Sequence, residues 1–206
     1  MSSFTGTINS SVSIGGVAVS SNLQRTGSGL ANYIADLPIA KAGTLSTRTS
    51  DTAGIITLAA GHGITDADEV DVYFSDGSVA YAATVTAYDT TTITIAGASG
   101  DALPTEDAAV TVGVVQDLDV DIEGDDLKML AIHATSAASV ILTTDDSGDT
   151  VELAKLLTAN EAYTWAYDTG VTNPIASDTI THIQASCGSS SAAGVFKLAA
   201  LVDAAG

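Results

Sequence analysis

The feature that most limits what this chain can fold into is the spacing of its apolar residues, which is two along most of the sequence and is interrupted by glycine. The stretches GIITLAA, EVDVYF, VAYAATVTAY, TITIAG and TVGVV, between residues 54 and 115, are short and rich in branched side chains. A spacing of two sends alternate side chains to opposite faces, so one face can be buried while the other stays polar. Branched residues suit that half-buried pleated surface. Between the stretches lie GHGITDAD (61–68), SDGS (75–78) and DTT (89–91), whose Gly, Asp and Ser side chains favour turns. Strands at this spacing predict a small antiparallel β-barrel over residues 51–115.

A second series follows over residues 116–206: LDVDI, KMLAIHA, SVILTT, AYTWAY, TITHIQASC and GVFKLAALV. It predicts a β-sandwich of jelly-roll or immunoglobulin-like type. Helical spacing is weak everywhere. VELAKLLTANEAY (151–163) offers one short turn of helix at most. In the first 50 residues, SSVSIGGVAVSS sets Val12, Ile14, Val17 and Val19 around Gly15–Gly16, a hairpin signal. Residues 1–50 are therefore expected to form a β arm that pairs with the C-terminal sheet or with a neighbouring subunit. The expected fold is all-β.

Composition narrows the function classes. Acids number 25 against 6 Lys and Arg, a formal charge of −19. So few cations cannot neutralise several phosphates, so direct nucleic-acid binding is not expected, and neither is an anionic membrane surface. Aromatic residues are only 5% of the chain, and cores built from Ala, Val, Ile and Leu suit packed sheets better than a deep ligand cavity. The single Cys187 excludes a disulfide framework within the chain. The opening MSSFTGTINSSVSIGG lacks the basic and apolar regions of a secretory signal, so folding in a cytoplasm is the expectation.

The candidate sites are few. GHGITDADEV places His62 ahead of Asp66, Asp68 and Glu69, but zinc normally takes three or four ligands on a rigid frame. The other histidines stand far along the chain at 133 and 182, so His62–Gly63 reads as a structural turn. DVDIEGDDLKML (119–130) approaches a calcium loop through Asp119, Asp121 and Glu123, yet Leu130 stands where the bidentate Glu belongs. These three acids are the weak metal candidates, and the alternation reads first as a strand with one wet acidic face. Cys187 could in principle meet His133 or His182 as a nucleophile, but no cation or helix N-terminus that would lower its pKa is visible. Tyr163, Trp165 and Tyr167 alternate on one expected strand, as a core anchor, a subunit contact row or a sugar platform. No catalytic residue and no cofactor is expected, and the chain is read as not an enzyme.

LAAGHGITDADEVDVYF (58–74) resembles a module that recurs in structural proteins of tailed bacteriophages: strand, His-Gly, apolar residue, short polar loop, Asp/Glu-Val, strand. KAGTLSTRT (41–49) and GASGDALP (97–104) are similar in character. Where other such modules often carry Gly before the acidic residue, Ala67 stands here. The resemblance implies virion architecture. The expected role is a capsid decoration or minor capsid protein, with a tail-tube or neck component second and a carbohydrate-binding module third. Expected partners are other virion proteins (major capsid or tail proteins) and further copies of the chain, a trimer first. The expected location is the virion.

Overall fold

The computed structural model describes residues 4–14, 17–27, 29–123, 127–144, 151–167, 172–175 and 179–202, and every regular element among them is a β-strand. The fold is a small barrel and a sandwich, both antiparallel.

Six strands close the barrel: β4 (Lys41–Arg48), β5 (Gly54–Leu58), β6 (Glu69–Phe74), β7 (Val79–Tyr88), β8 (Thr92–Ala96) and β10 (Ala109–Val114). Their order is β6-β10-β4-β5-β8-β7, and β7 pairs back onto β6; β9 (Ser99–Gly100) adds a short piece outside β7. The lumen is filled by Leu45, Ile56, Val70, Val72, Val85, Ile93, Ile95 and Val112, all essentially inaccessible to solvent. A closed sheet has no free edges, and six strands leave room only for side chains.

The barrel does not begin at residue 51. β4 comes from the segment expected to be part of the N-terminal arm, and it is required because the five strands read after residue 51 cannot close alone. Leu45 on β4 is fully buried beside Ile56, so burial as well as pairing recruits this strand.

The sandwich uses eight strands: β3 (Gly29–Leu37), β11 (Gln116–Glu123), β12 (Leu127–Ala134), β13 (Ala138–Thr143), β14 (Val151–Leu157), β15 (Ala162–Ala166), β16 (Thr179–Cys187) and β17 (Gly194–Val202). One sheet runs β15-β12-β17-β3 and the other β11-β16-β13-β14. Counted along the chain within the sandwich, these orders are 6-3-8-1 and 2-7-4-5, the strand order of a jelly roll. Between the sheets lie Leu130, Ile132, Val140, Leu142, Trp165, Ile183, Phe196 and Leu198. The barrel is thus an insertion between the first and second jelly-roll strands. It is held by two short links, residues 38–40 and residue 115.

VELAKLLTANEAY contains no helical turn over its first half. Residues 151–157 form β14, because Leu153 and Leu157 stand opposite Leu142 and Ala138 on the core side of β13. The chain then turns at Thr158, whose N–H and hydroxyl both donate to the Glu161 carboxylate, at 2.7 and 2.8 Å.

The first strands form a separate ribbon. β1 (Phe4–Ile14) pairs along its whole length with β2 (Val17–Gly27), with Ile14 opposite Val17. β3 then pairs with β17 of its own chain, from Gly29 opposite Val202 to Leu37 opposite Gly194.

Candidate functional site

The GHGITDADEV loop is built around its histidine. His62 is 7% exposed, and its Nδ1 accepts the Ile64 N–H at 3.1 Å. The ring proton therefore sits on Nε2, which donates to the Asp89 carbonyl at 2.9 Å. With both nitrogens engaged, the ring pins this loop to the turn after β7. Gly61 and Gly63 take φ of 75° and 77°, a region costly for residues with a Cβ. Asp68 accepts from the Thr65 N–H at 2.7 Å and from its hydroxyl at 3.0 Å, while Asp66 stays exposed.

Ala67 takes a φ of 69°, so it sits in the left-handed region that glycine would occupy without strain. It is exposed, and its N–H donates to the Val85 carbonyl at 3.0 Å. Ala67→Gly is expected to raise stability by about 0.5–1 kcal/mol, the left-handed cost less the added chain entropy of glycine. Urea unfolding measures it, and a lower midpoint would show that this turn carries no strain.

The remaining acids of the motif do something that alternation does not announce. Val70 and Val72 face the barrel core, so Asp71 and Tyr73 point outward, but they meet the jelly roll rather than water. Asp71 is 2% exposed. Its Oδ2 accepts the Ser186 hydroxyl at 2.6 Å and its Oδ1 accepts the Ala82 N–H at 2.9 Å. Ala82 lies at a bulge where Val70 and Val72 stand opposite Ala83 and Ala80, so the carboxylate satisfies an amide that the strand ladder leaves over. The Tyr73 hydroxyl accepts the Ser139 N–H at 2.8 Å and shares a 2.6 Å hydrogen bond with Ser186 Oγ.

Burial pushes the Asp71 carboxyl above the ordinary range, against the lowering effect of its hydrogen bonds. Burial also raises Glu69, helped by the charges of Asp117 and Asp71. The junction is tight in its backbone as well. A Cβ on Gly113 of β10 would stand 2.3 Å from the Cys187 carbonyl oxygen.

The other sequence candidates scatter over the sandwich. Asp117, Asp119 and Asp121 lie on the exposed side of β11, and Asp119 pairs with His182 across the sheet. His182 Nδ1 is 3.2 Å from Asp117 Oδ1 and 3.6 Å from Asp119 Oδ1. Glu123 ends the same strand, and Gly124 lies outside the described residues. Among the described residues, no three His, Cys, Asp or Glu side chains come together as a metal site. His133 is on β12, in the opposite sheet from His182 on β16, and Cys187 is buried with its Sγ near the Ser189 and Ala192 carbonyls.

Tyr163 and Trp165 share the core-side face of β15, opposite Ile132 and Leu130. Trp165 is 7% exposed in the sandwich core and donates from Nε1 to the Thr172 carbonyl at 3.0 Å. Tyr163 packs partly against that core with the Lys155 ammonium 4.6 Å from its ring centre. Tyr167, just past β15, is 49% exposed with the Lys128 ammonium 5.3 Å away.

No family model matches the chain, and no curated protein or solved structure matches it.

Proposed function

We propose that the protein is a structural component of a multi-copy shell, in the role of a capsid decoration or minor capsid protein. The observation that carries this reading is the ribbon β1–β2, a long appendage whose strands pair only with each other among the described residues, ahead of two filled β cores. A two-stranded ribbon is marginal alone, so such an extension gains stability only against another surface. Jelly rolls serve as capsid building blocks as well as lectins, and the fold by itself does not choose between these uses.

The acids favour an outer shell over a tail tube. Asp66, Asp76, Asp89, Asp101 and Asp107 sit on exposed turns around the outside of the barrel, and Asp117, Asp119 and Asp121 on the exposed side of β11. They stand on separate elements of the barrel and the sandwich rather than on one strand or loop. The carbohydrate reading loses its central element, because Trp165 is inside the sandwich.

Negative-stain microscopy and sedimentation of the purified protein test the proposal. Assemblies of defined copy number, and density for the protein on a particle surface, are expected. A monomer under all conditions, absent from any particle, would overturn it. Association should also strengthen as pH falls toward the sequence pI of about 4.1, as carboxylate repulsion fades. Light scattering that stays flat down that range would show that repulsion does not limit contact.

A further inference from the structure

The jelly roll has four edge strands, and three of them carry features that keep an edge from pairing further. β11 has Asp117, Asp119, Asp121 and Glu123, and a register break between Asp119 and Ile122. β14 has Glu152, Lys155 and a register break opposite the end of β13. β15 is only five residues long. β3 is different. It is nine residues long, keeps its register with β17 from end to end, and carries a single charge, Asp36. Among the described residues no strand lies along its other edge. A regular row of free N–H and C=O groups is a template for another strand.

The core is open at the same place. Ala31, Tyr33 and Ala35 of β3 and Leu118 and Val120 of β11 pack against the sandwich core but stay only partly buried. At the opposite edge Leu153, Leu157 and Trp165 are buried, and Tyr163 is partly so. β3 and β11 meet where the Asp121 N–H donates to the Tyr33 hydroxyl at 3.4 Å. On the outer face of β3, Leu30 is 48% exposed and Ile34 68%. Side chains of an added strand alternate between faces, so one strand would cover the open core with one set and flank Leu30 and Ile34 with the other.

Charge selects the occupant. Asp36 on β3 and Asp117, Asp119 and Asp121 on β11 are all exposed. The basic side chains beside these strands are Lys197, opposite Ile34 on β17, and His182, next to Asp117 and Asp119. A second copy brings the same acids, or at its opposite edge the single lysine of β14. Like charges facing each other across an interface repel, over about 8 Å at physiological salt. We propose that the β3 edge takes an extended segment of another protein, bearing lysine or arginine, as an added strand. Main-chain hydrogen bonds then supply affinity, and the alternate side chains supply selectivity. The pairing stands on the edge, its open core and its charge; that the segment belongs to a shell protein rests on the reading above.

An array of random nine-residue peptides, matched to β3 in length, is probed with the full chain, and the binders are titrated by fluorescence anisotropy. Binders are expected to alternate branched apolar residues with polar ones and to carry Lys or Arg rather than acids. Exchanging those cations for Glu, or changing Ile34→Lys in the protein, is expected to weaken binding about tenfold or more, and added salt should weaken it too. Asp119→Lys, at a fully exposed position, should act in the same direction, while Leu156→Lys on the opposite edge should change nothing. Amide hydrogen exchange should slow within β3 when a binder is present. An array without binders, binders rich in acids, binding indifferent to Ile34→Lys, or slowed exchange on β14 or β15 instead would each overturn the proposal. So would protection of β3 by self-association of the chain alone, which would make a second copy the occupant. If binding holds while no particle contains the protein, only the shell reading fails.

Discussion

Replacing Asp71 by alanine is expected to cost about 3 kcal/mol of stability and to loosen the barrel from the jelly roll. The change strands two groups at once. The Ala82 N–H, left over at the bulge, loses its only hydrogen-bond acceptor, and the Ser186 hydroxyl loses the carboxylate it donates to. A buried polar group without a partner costs about 1–3 kcal/mol, and hydrogen bonds to a charged group lie at the upper end of their range. Denaturant unfolding measures the loss, and proteolysis at residues 38–40 or 115 reports whether the links have become accessible. A variant within about 0.5 kcal/mol of the unaltered protein would mean that these hydrogen bonds do not hold the junction.

Asp71 also sets a pH dependence whose sign is opposite to that of most carboxylates. Its folded pKa is raised, chiefly by burial, so the folded protein holds this proton more tightly than the unfolded chain. The associated stability is therefore fully present below the ordinary carboxylate value and is lost as pH rises through the higher folded value. Glu69 shares the direction. Asp76, Asp89 and Glu161 run the other way, because the amides of Ser78, Thr91 and Thr158 stabilise their charged forms. Asp71→Asn should keep the Ala82 hydrogen bond, remove the Asp71 part of the slope and lessen the Glu69 part, which the Asp71 charge helps to raise. An unchanged stability–pH curve for Asp71→Asn would show that the carboxyl titrates alike in both states.

Trp165→Ala is expected to destabilise the protein by about 3–5 kcal/mol, the usual cost of deleting a large aromatic ring from a core. The indole fills space between the two jelly-roll sheets and holds residue 172 through its N–H. Thermal melting should show the loss directly. A variant of unchanged stability that had lost a glycan-binding activity would instead place this tryptophan on a recognition surface, and the core assignment would be wrong.

Much of this architecture was legible in the residues. The all-β class, the small barrel and the sandwich follow from a spacing of two between glycine-rich turns, because that spacing decides which side chains can be buried together. The place of His62 in a loop had a local basis too: an imidazole with two ring nitrogens next to glycines can bond to neighbouring backbone, here to Ile64 and Asp89. The barrel's sixth strand was not legible, since β4 resembles any polar-apolar strand until closure demands a partner for β5 and β10. The short turn of helix expected near residue 151 failed because Leu153 and Leu157, four apart, also share one face of a strand once a facing sheet exists.

What the sequence alone determined is the all-β class and most of the strands with one buried face each, since these depend on neighbours within a few residues. What only the tertiary structure decided is where the other faces go. Asp71 and Tyr73 occupy positions that alternation assigns to water, and Trp165 and Tyr167 share a parity that leaves core anchor, subunit contact and sugar platform all open. Packing the barrel against β13 and β16 buries the first pair, and the second sheet covers Trp165 while Tyr167 remains outside. Those outcomes depend on contacts between residues more than 60 positions apart, as in Tyr73 with Ser139 and Asp71 with Ser186, and no local pattern encodes them.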